Sequence, residues 1–415
     1  MTPPKDIFIK DYTYELPEEQ IARYPLPERD QSKLLVYNKE MITDDIYRNI
    51  SQYIPGNSLL IFNNTRVIEA RLLFQKQSGG VIEIFCLEPH EQYSDITTAM
   101  LQKEKVLWQC LIGGASKWKQ HQILEKTISY NEKPVKLCAS FIEKRTGCFI
   151  IEFSWNIPEL SFAEILHLAG AIPLPPYIKR KAEETDTERY QTIYARYEGS
   201  VASPTAGLHF TERIFNDFTK RNIQKDFVTL HVGAGTFKPV KSETIATHDM
   251  HTEHMEVSVS TIENILTHLD KVIAVGTTSL RTIETLYWLG VKLKKNEVPG
   301  SYNSDAASFS LTQWECYEIE EQNVSATDAL QGLLKWMKEN KTETLLAKTQ
   351  ILIVPGYTFK IVKGLITNFH QPQSTLLLLI AAFIGKDWRN LYAHALRNDF
   401  RFLSYGDGCL LWLNQ

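Results

Sequence analysis

The heptapeptide "HDMHTEH", residues 248–254, puts three histidines and two acids into seven positions, a density that raises the question of a metal site. The usual helical zinc arrangement has two histidines four apart with a glutamate beside the first, and that spacing is absent here. On a strand His251 would point away from His248 and His254, while on a helix each step of three swings the side chain back by roughly 60°. The following "MEVSVS" alternates apolar and polar residues and predicts a strand. A loop running into a strand keeps metal ligation open as one alternative.

Other polar clusters fall where buried strands end, which is where ligands gather in open α/β sheets. In "VIAVGTTSLR" a strand runs into Gly276, Thr277, Thr278 and Ser279 and then into a helix, whose free N–H groups suit an anion, with Arg281 nearby as a fork for a carboxylate or phosphate. An ordinary hydroxyl-capped helix fits the same residues. "TNFHQPQST" sets Asn368 and His370 between a buried strand and a buried helix, where the histidine is either a cap or a site residue. "SPTAGLHF" places Ser203, Thr205 and His209 around a Pro and a Gly, without the Gly-x-Ser-x-Gly of a serine nucleophile elbow. "LHVGAGTFKP" has Gly-x-Gly after a strand but neither the third glycine nor the helix of a dinucleotide site. Asp407 lies in the Gly-flanked turn of "RFLSYGDG", and Lys179, Arg180 and Lys181 follow the bend "PLPPY" as either a phosphate-contact patch or a solvated face.

The elements that must carry these residues divide in two. Between residues 69 and 154, runs such as "RLLFQ", "GVIEIFCLE", "KVLWQCLIGG" and "GCFIIEFSW" repeat with polar breaks and no helical period, which predicts a small antiparallel β-barrel or sandwich domain. From Ser161 helices alternate with strands. "SFAEILHLAG" opens with a capping box, Ser161 and Glu164; "TERIFNDFTKR", "LRTIETLYWLG" and "STLLLLIAAFIG" read as helices, and "FVTLHVGAG", "KVIAVG", "ILIVPG" and "KGLIT" as strands. The expected architecture is an α/β main domain, residues 1–68 and 155–415, interrupted by the inserted barrel at 69–154. Residues 291–348 stand out as an extra segment, a flexible loop "KKNEVPGSYNSDAAS" followed by a capped helix with a stripe of Leu330, Leu333, Leu334 and Met337.

Composition bounds the rest. The 415 residues are 43% hydrophobic and 23% charged, an ordinary globular balance, and the net charge of −4 requires any polyanion to be held by a local basic patch. Six cysteines without a CxxC pair read as free thiols of a reducing compartment. The longest apolar run, Leu376 to Ile384, is about half of the roughly 20 residues needed to cross a bilayer, so a cytoplasmic protein without membrane contact is expected.

Taken in order, "IARYPLPERDQSKLLV", "FNNTRVIEARL", "IPLPPYIKR", "SVASPTAGLHFT", "FVTLHVGAGTFKPV", "MHTEHMEV", "IAVGTTSLRTIE", "LITNFHQPQSTLLLLIAAFIG" and "FRFLSYGDG" closely resemble the S-adenosylmethionine:tRNA ribosyltransferase-isomerases of the queuosine pathway. The resemblance covers nearly the whole chain. It implies an α/β domain interrupted by a β-barrel, and an enzyme that moves and rearranges the ribosyl part of S-adenosylmethionine onto 7-aminomethyl-7-deazaguanine at the tRNA wobble position. Epoxyqueuosine-tRNA forms while adenine and methionine leave. S-adenosylmethionine is then a co-substrate, with no cofactor and no metal required, the partner is the tRNA anticodon, and a monomer is expected.

Such chemistry needs at least two proton-transfer groups, because protons beside a sulfonium are acidified, adenine leaves better when protonated, and the attacking aminomethyl group must lose a proton. On the resemblance, His209, His251, Glu253 and His370 are assigned to proton transfer and sulfonium contact. Thr277, Thr278, Ser279, Arg281, Asn368 and Asp407 are assigned to substrate, with Thr278, Ser279 and Arg281 on the methionine carboxylate, and Lys179, Arg180 and Lys181 to RNA. The heptapeptide then reads as the motif "MHTE" flanked by two unrelated histidines. Several features depart from the family: the long 291–348 segment, Gln371 where an apolar residue is common, Ser203 in place of Ala, and His254 where an aromatic is more frequent. They bear on the acceptor more than on the donor, so a paralogue acting on another RNA or a free deazaguanine is one alternative. A metal-dependent hydrolase built on residues 248–254 is another, discriminated by bound zinc, and a non-catalytic RNA-binding protein using the barrel is a third.

Overall fold

The computed structural model describes residues 3–76, 78–93, 96–119, 121–233, 243–295, 309–319 and 324–413. Most of the loop expected at 294–308, and the end of "VGAGTFKP", lie outside the described residues.

Among the described residues, ten strands form one mixed sheet in the order Ser310–Leu311, Thr344–Thr349, Glu253–Ser258, Gln224–His231, Leu59–Asn63, Val272–Val275, Gly364–Asn368, Gly408–Trp412, Lys33–Asn38 and Met41–Ile46. Its centre, from Gln224–His231 to Gly364–Asn368, is parallel. Of these, Leu59–Asn63, Val272–Val275 and Gly364–Asn368 are continuous runs of buried residues, as expected for strands covered on both faces. Antiparallel neighbours flank that centre on both sides.

Against the sheet lies the helix Thr277–Lys294, which has Leu280, Ile283, Leu286, Trp288, Leu289 and Val291 all buried and is therefore apolar around most of its circumference. The reason is the helix Ala326–Glu339, started by the Ser325 hydroxyl accepting from Asp328 N, which covers the outward face. The two backbones pass so closely at Gly290 that a Cβ there would lie 2.3 Å from Ala329 O. The expected stripe on the covering helix is Leu330, Leu333 and Met337, joined by Ala329 and Trp336, while Leu334 is only partly buried. The predicted strand in "ILIVPG" does not form. Ile351 to Val354 are buried but join no ladder, since a short apolar run satisfies a core without specifying a strand.

A second sheet of seven antiparallel strands runs Gly170–Ala171, Arg71–Gln75, Val81–Pro89, Lys105–Gly113, Cys148–Trp155, Lys133–Arg145 and Leu124–Tyr130. No ladder joins its two end strands among the described residues, so the sheet is open where a closed barrel was expected. The helix Phe162–Ala169, with its Ser161–Glu164 capping box, sets Phe162, Ile165, Leu166 and Ala169 into the core of this sheet, beside Trp108 and Phe153. The same helix meets the end strand Leu124–Tyr130, where Lys126 Nζ reaches Ala169 O at 2.6 Å. No helix among the described residues is long and apolar enough to cross a membrane.

Candidate active site

At the end of the strand Val272–Val275 the chain must turn sharply into the helix Thr277–Lys294. Gly276 makes the turn at φ 87° and ψ 154°, a conformation open to glycine almost alone, and its N–H bonds Ile366 O at 2.8 Å. No side chain caps the helix, so its first N–H groups lack the usual hydroxyl partner. Beside them the buried Thr278 Oγ1, Ser279 Oγ and Arg281 Nη2 have no hydrogen-bond partner among the described residues. Buried polar groups are normally paired, so the unpaired Thr278 and Arg281 groups beside a helix start point to a ligand. Arg281 is otherwise anchored, through Nε to Ile351 O at 3.0 Å and through Nη1 to the buried carboxylate of Glu253.

Glu253 opens the strand Glu253–Ser258, in which Glu253, Met255 and Val257 are buried and the intervening residues only partly so. Strand alternation therefore sends His254 to the opposite face from Glu253. His248 and His251 precede the strand and line the same cavity as Glu253, whereas His254 does not. Among the described residues no three His, Cys, Asp or Glu side chains are grouped to hold a metal ion.

The cavity has a volume of about 690 Å³ and is framed by the stretches 202–206, 247–253, 276–281 and 367–376, with Tyr177, Tyr190, Leu403 and Ser404. That size suits a ligand of a few tens of atoms. Of the residues expected from sequence it brings together His251, Glu253, His370, Thr277, Thr278, Arg281 and Asn368. His370 bonds Thr367 Oγ1 through Nε2 at 3.0 Å, its backbone N–H donates to Tyr392 Oη at 3.0 Å, and burial lowers its pKa to about 3. Asn368 accepts from Thr205 Oγ1 at 2.9 Å and turns its amide nitrogen to His209 Nε2 at 3.3 Å.

Other expected residues lie elsewhere. His209 is behind Asn368, stacked on Tyr47 at 4.3 Å, and burial, with a smaller contribution from Arg401, lowers its pKa to about 3. It is a neutral supporting group outside the cavity wall. Ser279 is fully buried in the helix and does not line the cavity. Asp407 is a clamp: its carboxylate accepts from Lys33 N at 2.9 Å and Arg401 N at 2.7 Å, which fixes the turn carrying Leu403 and Ser404. Arg180 is spent on Asp186 in two bonds of 2.6 and 2.7 Å and lies over the Tyr24 ring, and Lys179 bonds Glu18 at 2.9 Å. Lys179 is exposed in its pair with Glu18, whereas the Arg180–Asp186 pair is largely buried.

A family model described as "Queuosine biosynthesis protein" matches residues 9–411. The chain belongs to that family. A curated relative from Halothermothrix orenii, named S-adenosylmethionine:tRNA ribosyltransferase-isomerase, is 36% identical over 411 residues, covering 97% of this chain and 99% of the relative. A crystal structure described as S-adenosylmethionine tRNA ribosyltransferase from Thermotoga maritima is 25% identical, covers 97% of this chain and 99% of its own, and superposes with a TM-score of 0.44.

Within this member of the queuosine biosynthesis family, sequence reasoning missed the wall formed by Tyr177, Tyr190 and Ser404. Tyr177 Oη lies 2.6 Å from Ser404 Oγ, and Ser203 Oγ is buried without a partner among the described residues. The available signal was a hydroxyl-bearing residue in each of "SPTAG", "PLPPY", "ERYQT" and "FLSYG", short segments that only the fold unites.

Proposed function

We propose that this chain is an S-adenosylmethionine:tRNA ribosyltransferase-isomerase, transferring and isomerising the ribosyl moiety of S-adenosylmethionine onto 7-aminomethyl-7-deazaguanine at the wobble position, with release of adenine and methionine. The observation that carries this reading is the pairing, in one cavity, of an uncapped helix start and an orphaned Arg281 nitrogen with the Glu253 carboxylate. The methionine end of the donor carries a carboxylate, an ammonium and a sulfonium, and those groups call for this set of opposite charges. The dinucleotide-type glycine loop of other nucleotide-binding folds is not needed, since the donor is held at its amino-acid end.

Roles follow from protonation. His209 and His370, with pKa near 3, are neutral at physiological pH and act as hydrogen-bonding supports rather than proton carriers. Proton removal beside the sulfonium falls to His251 or Glu253, which border the cavity from the turn before the strand Glu253–Ser258 and from its first residue. Thr277, Thr278 and Arg281 orient the methionine carboxylate, and Asn368, steadied by Thr205 and His209, contacts the nucleoside part. Asp407 acts only through the turn it clamps. The open sheet of residues 69–154 is read as an inserted half-barrel domain, with 1–68 and 155–415 forming the catalytic α/β domain. Lys181 is the member of the basic triplet left for RNA. The protein is taken to be a cytoplasmic monomer without cofactor or metal.

The test is adenine release from S-adenosylmethionine by the purified protein, in the presence of a chelator, with tRNA carrying 7-aminomethyl-7-deazaguanine and with the same tRNA lacking it. Release with the modified tRNA alone supports the proposal. Release with neither, by folded protein, refutes it.

A further inference from the structure

The turn bearing His248 and His251 is gripped by one side chain from the extra segment. Gln313 Oε1 accepts from Met250 N at 2.9 Å, and Gln313 Nε2 donates to His248 O at 2.8 Å. A single carboxamide thus satisfies a backbone donor and a backbone acceptor two residues apart, as a neighbouring strand would. Gln350 Nε2 adds a bond of 3.2 Å to Met250 O.

Gln313 is itself fixed. It is 8% exposed, and the strand before it, Ser310–Leu311, pairs in parallel with Thr344–Thr349, the strand that pairs with Glu253 through Thr349. The next turn is tied down by Glu315, whose Oε2 accepts from Thr312 N at 2.6 Å while Oε1 accepts from Lys292 Nζ at 2.7 Å. Lys292 also donates to Ser310 O at 2.9 Å. Lys292 stands near the far end of the helix Thr277–Lys294, whose first turns carry Thr278 and Arg281 on the cavity. A continuous series of polar bonds therefore runs from that helix through Glu315 and residues 310–313 to the histidine turn.

We propose that Gln313 is a positioning residue of the ribosyl-transfer reaction, and that the extra segment at 291–348 acts in this protein by presenting Gln313 to the turn that carries His248 and His251. This inference rests on the function proposed above. Its physical content is that Gln313 holds His248 and Met250, the residues leading directly to His251, in a turn that joins no ladder before Glu253, so loss of the carboxamide frees the turn while leaving the donor-binding helix start intact.

The experiment compares wild type with Q313A in full-length protein. Steady-state adenine release is measured with the modified tRNA, and amide hydrogen exchange is measured on the peptide spanning 248–253. Expected for Q313A are a fall in kcat of about tenfold or more with KM for S-adenosylmethionine changed by no more than about twofold, since a misplaced group costs turnover before binding. Exchange at the Met250 amide should speed up by about tenfold or more as its acceptor is lost. If Q313A does not fold, Q313M carries the same test, because it nearly keeps the size while removing both the acceptor of Met250 N and the donor to His248 O. Unchanged kcat, or unchanged exchange in the 248–253 peptide, would overturn the proposal. Should wild type itself release no adenine, the functional reading fails, and the exchange comparison still decides whether Gln313 orders the turn.

Discussion

Glu253 and Arg281 hold opposite charges in a buried pair at the cavity, and their chemistry cannot be separated from their mutual support. Removing one partner of such a pair leaves the other charge uncompensated at a cost of about 3–5 kcal/mol. Glutamine keeps an oxygen for Arg281, so E253Q is expected to fold, with adenine release reduced about 100-fold or more. Turnover near wild type would remove Glu253 from the mechanism. The two buried histidines give a second prediction at this scale. Their folded pKa near 3 lies below the ordinary 6.5, so the unfolded chain takes up protons first as pH falls. Stability contributed by keeping them neutral is complete above about pH 6.5 and is lost progressively on acidification toward about 3. Thermal midpoints measured between about pH 7 and 5 should therefore fall less steeply in H209Q than in wild type. Equal slopes would contradict a depressed His209. That Arg281 and Asn368 border the cavity was legible because they lie where strands end and ligands gather, whereas Glu253, which opens its strand, was reached through the resemblance of "MHTE". The difference between a lining histidine and a supporting one was not legible, since only their three-dimensional placement puts His370 on the cavity and His209 behind Asn368.

Helices were the most legible elements, because the capping hydroxyls of Ser161, Ser325 and Ser374 and the period of the apolar residues agree with one another. "ILIVPG" failed as a strand because nothing local distinguishes a buried ladder member from a buried linker. The crossing of Thr277–Lys294 with Ala326–Glu339 is the contact on which the extra segment depends. A methyl group at Gly290 would press on the Ala329 carbonyl, so G290A should lower stability by about 1–3 kcal/mol in denaturant unfolding and loosen the covering helix. An unchanged unfolding midpoint would mean that the two helices separate at no cost. This crossing was invisible in sequence, since a glycine inside a helical pattern names no partner.

For the whole molecule, two sheets with separate cores were foreseeable from the change of period near Ser161, whereas closure of the smaller sheet was not. Closure depends on register between strands far apart in the chain, which no local pattern specifies, and here the ladder runs from Gly170–Ala171 to Leu124–Tyr130 without joining its ends among the described residues. A net charge of −4 also makes tRNA binding depend on local cations. The KM for tRNA should rise several-fold as salt is raised from about 50 to 200 mM, while KM for S-adenosylmethionine, held inside the cavity, moves much less. Salt-independent use of tRNA would argue against phosphate contacts.

The central claim is that the donor gives up its ribosyl group rather than its methyl group. It is tested most directly with S-adenosylmethionine carrying carbon-13 in the ribose, incubated with the protein and tRNA bearing 7-aminomethyl-7-deazaguanine, followed by mass analysis of the digested tRNA and of the released small molecules. The predicted result is ribose label in the modified nucleoside, with adenine and methionine released in equal amounts. Methylated tRNA with S-adenosylhomocysteine, or adenine release without label in the tRNA, would contradict it.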